Sequence, residues 1–337
     1  MKPRMKKSAL RLLENKAIGR FLSSITSSRC VILMMHRFAS ADGRRPGHDP
    51  DRLRELLDYF RETGIHLAAL DEVLAALRDG DKTPLQRGPT VVFTVDDGYA
   101  DFVDIGVPVF MEFDCPVTGF VAPGIIDRQS WFWWDQIAWI QAHTRLAAVT
   151  IDMGGTSLQI ECADPIGRMQ SLNEMSECIR PITTAQRIAA IEQLSAVAMV
   201  QIPATAPEEY RVATWQELRS AESDLVRIGA HSMTHPILSQ CDADQSRREI
   251  LDSVARVRAE LRRPSGIFTY PIGCPRCFGE REMTTVREAG LLGALSSIPG
   301  YATTARSPDR PDSDWFWRIP RMAYEERSGV MARIALL

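Results

Sequence analysis

The chain has 337 residues, 45% of them hydrophobic and 25% charged, with a formal net charge of −3. Such a length buries a large core as either two domains or one α/β barrel, and the mildly acidic balance argues against a nucleic-acid-binding protein, whose phosphate-facing surface makes a domain basic. Seven scattered cysteines (Cys30, Cys115, Cys162, Cys178, Cys241, Cys274, Cys277) in a chain too long to need disulfide staples point to a reducing compartment.

Residues 1–29 carry eight basic residues and one acidic one. Leu10, Leu13, Ala17, Phe21 and Ile25 recur at helical spacing opposite Lys6, Lys7, Arg11, Lys16 and Arg20, which predicts a basic amphipathic helix. Such a helix either makes a peripheral contact with an anionic membrane surface or docks on the fold with a solvated basic face. No stretch reaches the roughly 18 to 20 apolar residues of a membrane span and no signal peptide is read, so a cytoplasmic location, peripheral at most at the inner membrane face, is expected.

From residue 30 to 127 apolar runs and helical patterns alternate. CVILMMHRF (Cys30 to Phe38) reads as a buried strand delivering His36 at its end, and Asp49-Pro50 as an N-cap with proline at N1. Leu53, Leu56, Leu57 and Phe60 form the inner face of that helix, and Gly64 ends it. The short strand IHLAAL, the helix DEVLAALRDG, the strand PTVVFTVDDG, a helix around Pro108 and the strand CPVTGFVAPGII follow. This βαβα rhythm predicts a mostly parallel sheet, as a barrel or an open sheet.

Residues 128–213 break the rhythm. SWFWWDQIAWIQAHT is a helix dense in aromatics, AVTIDMGG and TSLQIECA pair as a hairpin, and TTAQRIAAIEQLSAVAM is a helix, so the segment reads as an inserted α+β lid or subdomain. Most of Trp131, Trp133, Trp134 and Trp139 are expected to glue the insert to the remainder; one or two of them would line a sugar-binding cleft, since flat aromatic faces suit pyranose rings. From 214 to 337 the alternation resumes: the capped helix TWQELRSAES, the strand DLVRIGAHS, the long helix DADQSRREILDSVARVRAELRR, the strand GIFTYPIG, the helix REMTTVREAG, the strand LLGALSS and a closing strand WFWRIPRMAY.

Two segments carry the chemistry. TVVFTVDDGYADF ends an apolar strand in Asp96, Asp97 and a glycine, at the C-terminal edge where α/β folds keep their sites. RIGAHSMTHPILS places His231 and His235 four apart, on one face if the segment forms a helical turn. One carboxylate and two imidazoles leave coordination positions open, the pattern of a catalytic metal site. Each motif alone has an ordinary explanation, as a turn or a helix start. Cys274 and Cys277 could hold a metal or form a redox pair; with no second Cys-x-x-Cys they read as two ordinary loop thiols.

TVDDG, HSMTH and TYPIG, in this order and each at a strand end, resemble the polysaccharide deacetylases, the NodB-homology carbohydrate esterases. The resemblance runs from about Val31 to Met322, interrupted by the insert. It implies a distorted (β/α) barrel of about seven strands, one divalent metal, usually zinc, and hydrolysis of N-acetyl groups from amino sugars of a polysaccharide or its lipid-linked precursor. Carried over by motif, Asp96 would be the general base, and Asp97, His231 and His235 the metal ligands. The backbone N–H of Ile272 would be the oxyanion donor, since Pro271 has none, with Tyr270, Pro271, Tyr99 and Trp134 at the substrate.

Two features depart from the family's pattern. The C-terminal Leu-x-His type motif that supplies the general acid is absent, so His36 takes that role by resemblance to members with a similar first strand. The arginine before TYPIG is absent as well, and Arg318 or Arg321 in WRIPR either stands in as the partner of Asp96 or forms a plain surface or structural salt bridge. Two other readings stay open: an enzyme using the same site on an N-formyl sugar or cyclic amide, and a saccharide-binding relative without turnover.

Overall fold

The β-branched run TVVFTV forms β3 (Thr90–Val95) and is buried at all six positions, as a parallel strand covered on both faces must be. A computed structural model, which describes residues 29–81, 83–86, 88–128, 131–153, 156–179, 182–303 and 314–324, sets this strand inside a nine-stranded sheet. β1 (Arg29–Met35) pairs parallel with β3 over six residues; β2 (His66–Leu67) also joins β3. β4 (Val117–Val121), β7 (Val226–Ala230), β8 (Ile267–Thr269) and β9 (Gly293–Leu295) continue the parallel order. β10 (Ala302–Thr303) runs antiparallel to β1 on its other edge. The amphipathic helix expected within residues 1–29, and the membrane contact read from it, lie outside the described residues.

Helices alternate with these strands as the apolar periodicity requires. α1 (Pro50–Thr63) is capped by Asp49, whose side chain accepts from the Asp51 N–H, and stops at Gly64, where φ is 73°. α2 (Leu70–Arg78), the short α3 (Thr83–Gln86), α4 (Val107–Glu112) and α5 (Pro123–Arg128) follow in the first half. α9 (Trp215–Ala221), α10 (Ala243–Glu260) and α11 (Glu280–Glu288) follow in the second.

The sheet curls until its ends nearly meet, and the C-terminal segment spans the gap. Ile319 bridges Leu295 of β9, while β11 (Met322–Ala323) pairs with Leu33 and Met34 of β1. The expectation of one continuous strand over WFWRIPRMAY is therefore corrected: Asp314–Trp317 is a helical turn and only isolated pairings follow. Pro320, lacking an N–H, interrupts the ladder between them. This distortion brings Arg321 to the inside of the ring, where it is 1% exposed.

Between β4 and β7 the chain builds a second unit. α6 (Trp133–His143), the antiparallel hairpin β5 (Ala148–Met153) and β6 (Thr156–Glu161), α7 (Pro165–Ile179) and α8 (Thr184–Ala198) surround their own core. Ile137, Ile140, Val149, Ile151, Ile160 and Leu194 are buried there, apart from the clusters beneath the parallel sheet. Among the described residues no helix is long and apolar enough to cross a membrane.

The return to the parallel sheet is fixed by a capping box: Thr214 Oγ1 accepts from the Glu217 N–H, and Glu217 Oε2 accepts from the Thr214 N–H. Thr214→Ala leaves both helix-start donors worse satisfied and should cost about 1 kcal/mol. Urea unfolding checks this, with a lowered midpoint and an unchanged slope expected.

Candidate active site

The parallel strands β3, β7 and β8 end on the same edge of the sheet, and each leaves regular geometry within three residues. After β3 the Asp96 N–H still bonds Met35 O at 2.9 Å, but Asp97 and Gly98 both have φ of 74°. A Cβ on Gly98 would stand 2.7 Å from Val121 Cγ1, so only glycine fits beneath the turn. The turn separates the two carboxylates, Asp96 pointing toward β11's segment and Asp97 toward the histidines. Of the six non-glycine residues with positive φ among the described residues, Asp97, Ser232, His235 and Ile272 line or adjoin this site, so backbone strain is concentrated here.

The expectation that HSMTH forms a helical turn is corrected. Ser232 (φ 60°) and His235 (φ 58°) are left-handed, which ends any helix at each of them. The loop is instead pinned from α10: Glu249 accepts from the Thr234 N–H at 2.8 Å and from its hydroxyl at 2.6 Å, and the Met233 N–H bonds Glu249 O. The rings still converge, with centroids 4.8 Å apart.

Asp97, His231 and His235 are buried, and their ligand atoms lie within 4.8 Å of one another. His231 Nε2 is 3.6 Å and His235 Nε2 3.4 Å from Asp97 Oδ1. Those separations are long for hydrogen bonds. They fit ligands sharing one ion: at roughly 2.0–2.2 Å from a tetrahedral centre, ligand atoms stand about 3.3 to 3.6 Å apart. His231 Nδ1 lies 2.8 Å from Thr269 O, and since a carbonyl only accepts, Nδ1 holds the hydrogen and Nε2 keeps its lone pair for a metal. Burial lowers the pKa of His231 to about 4 and that of His235 well below the ordinary value, so both rings are neutral ligands at neutral pH. Burial, then the Asp96 and Asp135 carboxylates, push Asp97 well up, a position that a bound cation would relieve.

Asp96 is held differently. Arg321 Nη1 and Nη2 donate to its two oxygens at 2.8 and 2.7 Å, a bidentate fork, while Arg321 also bonds Thr94 Oγ1 and Ser296 O. Burial alone would raise the Asp96 carboxyl, but Arg321 and His231 hold it down at about 2. The partner is thus Arg321; Arg318 is exposed.

These groups face one cavity of about 490 Å³, lined also by His36, Tyr99, Trp133, Trp134, Asp135 and Ile272. His36 projects from the end of β1, its pKa lowered by burial against the pull of Asp96. Ile272 (φ 61°) shares a tight turn in which the Gly273 N–H bonds Pro271 O and the Ser297 hydroxyl bonds Ile272 O. The Ile272 N–H itself makes no bond among the described residues. Tyr270 lines the cavity with its hydroxyl bound to Trp317 O, whereas Pro271 is buried and is not part of the lining.

Of the four tryptophans, Trp133 and Trp134 reach the cavity. Trp134 stacks on Phe132 and meets His235 edge-on at 5.0 Å. Trp131 and Trp139 bond within the insert, donating to Pro203 O and Gln201 O, rather than joining it to the remainder through these bonds. Sequence reasoning passed over Asp135, Arg37 and Tyr210, which also line the cavity. Asp135 sits in a helix's first turn, where an acid is ordinary, so only the fold exposes its position.

Next to the Ile272 turn the structure joins Cys274 and Cys277 in a disulfide, correcting the reading of two separate loop thiols. A turn closed by the Cys277 N–H on Cys274 O brings their Cα atoms to 5.1 Å, within disulfide reach. Cys30, Cys115, Cys162, Cys178 and Cys241 are free.

Residues 183–292, which include the HSMTH and TYPIG segments, match the family model for polysaccharide deacetylases. Among solved structures, the chain is similar to Streptococcus pyogenes deacetylase PplD in complex with acetate, with 14% identity, a TM-score of 0.57, and coverage of 92% of this chain and 99% of that one. It is also similar to IcaB from Ammonifex degensii, with 15% identity, a TM-score of 0.57, and coverage of 92% and 98%. At these identities the structural likeness establishes the fold: a curled, mostly parallel (β/α) barrel-like sheet. No curated protein sequence matches the chain.

The Asp96–Arg321 pair makes a pH-dependent prediction. A carboxyl depressed to about 2 in the fold contributes stability above its ordinary value near 4, lost as pH falls through about 2. Arg321→Gln should destabilise by about 3–5 kcal/mol at pH 7 by stranding a buried charge. The deficit should shrink toward pH 3, where the stranded Asp96 protonates; a deficit constant across pH in denaturant unfolding contradicts the pairing.

Proposed function

We propose that this chain, a member of the polysaccharide deacetylase family, is a metal-dependent hydrolase that removes N-acetyl groups from amino sugars of a polysaccharide or its lipid-linked precursor. The observation that carries the reading is the buried Asp97, His231 and His235 triad opening onto a cavity that also holds an arginine-paired carboxylate and a histidine. The segment 128–213 is taken as the lid of that cavity.

Asp97, His231 and His235 would hold one divalent ion, and two imidazoles with one carboxylate suit zinc. Bound there, the ion supplies Lewis acidity that polarises an amide carbonyl and acidifies a water. The rest falls to the protein's own groups. Asp96, kept ionised by Arg321, accepts a proton from the attacking water through the lone pairs that the guanidinium fork leaves open. The Ile272 N–H donates to the oxygen on which negative charge develops. His36 hands a proton to the departing nitrogen as the C–N bond breaks, so water and amide become acetate and a free amine. Burial makes protonated His36 a readier donor than an exposed histidine. The flat face of Trp134 suits the apolar side of the sugar ring.

Two departures from the family pattern had favoured a saccharide-binding relative without turnover. The Arg321 fork on Asp96 supports the hydrolase reading instead, because it supplies an arginine partner from the segment just before β11.

Acetate release from chitooligosaccharides and from lipid-linked N-acetylhexosamines, after reconstitution with zinc, cobalt or nickel, tests the proposal. Asp96→Asn and His36→Ala should each lower kcat about 10²- to 10⁴-fold. His36→Ala should also remove the decline in rate on the alkaline side, because an acid catalyst is lost as pH rises through its pKa. Saccharide binding without acetate from any metal form overturns the proposal, and formate from N-formyl substrates alone redirects it to a deformylase.

A further inference from the structure

The cavity holds a third carboxyl to which the proposed chemistry gives no task. Asp135 lies in the first turn of α6, inside the insert, and is 5% exposed. Its Oδ2 accepts from the Tyr99 hydroxyl at 2.5 Å, and that hydroxyl accepts from Trp134 Nε1 at 2.8 Å. The Arg37 guanidinium lies 3.9 Å from the centre of the Tyr99 ring. It is committed elsewhere, donating through Nε to Asp101 and through Nη2 to Glu209 O. Asp135 is thus aimed by a network drawn from β1's exit, the turn after β3 and the insert, yet among the described residues no arginine or lysine forms an ion pair with it, and Arg37 acts on it only through space. Its Oδ1 makes no hydrogen bond among the described residues, and the residue lines the cavity.

A carboxyl placed this way is expensive. It shares the cavity with Asp96 and Asp97 and pushes Asp97 further up. An asparagine or an apolar residue would fill the same space at lower cost. Such a group is explained by a ligand that brings the missing donors. Aromatic side chains line the cavity beside it: Tyr99 and Trp134, which belong to its hydrogen-bond network, and Tyr210. Flat apolar surface next to a fixed acceptor is the chemistry that recognises a polyhydroxylated ring.

We propose that Asp135 is a substrate-anchoring residue, whose Oδ1 accepts a hydrogen bond from a hydroxyl of the acetamido sugar and so makes the insert part of the active site. The inference rests on the deacetylase reading and adds the source of its preference for saccharides over simple acetyl compounds. Tyr99 is the positioning residue: by occupying Oδ2 it leaves only Oδ1 to face the substrate. An asparagine at 135 must offer its carbonyl to the Tyr99 hydroxyl and then presents an NH₂ donor to the cavity, the wrong polarity for a hydroxyl that needs an acceptor.

The test compares Asp135→Asn and Asp135→Ala with the wild type on an N-acetylated chitooligosaccharide and on 4-nitrophenyl acetate, which has an acetyl group but no sugar, with metal content measured for each protein. The ratio of kcat/KM for the saccharide to that for the aryl acetate should fall about ten- to a hundredfold, the size of one charge-assisted hydrogen bond, with KM carrying most of the change. Saccharide affinity of the metal-loaded proteins, measured by calorimetry, should weaken by a similar factor. Tyr99→Phe should move the ratio in the same direction through loss of aim. An unchanged ratio, or parallel loss on both substrates, overturns the inference. Should the wild type release no acetate from any saccharide, the functional proposal fails on that ground alone; equal saccharide affinity in wild type and Asp135→Asn would then overturn the anchoring role separately.

Discussion

The arrangement of the site follows from one electrostatic constraint: Asp96, Asp97 and Asp135 are all buried around a single cavity, and three carboxylates cannot share a low-dielectric space without compensation. Each is compensated by a different means. Asp96 has the Arg321 fork, Asp135 has the Tyr99 hydroxyl, and Asp97 faces two neutral imidazoles, with the Arg37 and Arg321 charges acting on it through space rather than by a fork of its own. The group with the least compensation is the one surrounded by lone pairs, which is the electrostatic definition of a cation site. The proposed general base and the proposed metal ligand, Asp96 and Asp97, are adjacent in sequence and differ in this compensation.

The fold delivers that arrangement by spending regularity at strand ends. β3, β7 and β8 are short and parallel, and each passes directly into left-handed backbone at Asp97, at Ser232 and His235, and at Ile272. These conformations persist because neighbours over-determine them: Glu249 grips the histidine loop, Ser297 grips the Ile272 turn, and Val121 leaves room only for a glycine at 98. The same economy explains the irregular C-terminal segment. A continuous closing strand would alternate its side chains regularly; the break at Pro320 lets Arg321 enter the ring and reach Asp96.

Much of the parallel sheet was legible because its signals are local. TVVFTV reads as a strand buried on both faces, Asp49-Pro50 and Thr214 with Glu217 read as helix starts, and a paired run around two glycines reads as a hairpin. The three motifs also pointed to one place. What was not legible depends on geometry that spacing cannot encode. A four-residue separation of histidines is the same in a helical turn and in the left-handed loop that forms. The apolar run WFWRIPRMAY hides its break in one missing N–H. Cys274 and Cys277 carry no mark of pairing until the turn that joins them is known. Asp135 reaches the cavity only through the docking of the insert, a long-range contact with no trace in the neighbouring residues.

The most direct test of the account is a cobalt(II) titration followed by absorption spectroscopy. The account predicts saturation at one ion per chain with the intense visible bands of a low-coordinate site, abolished in His235→Ala. Absence of saturable binding, or an unaltered spectrum when His235 is removed, would contradict it.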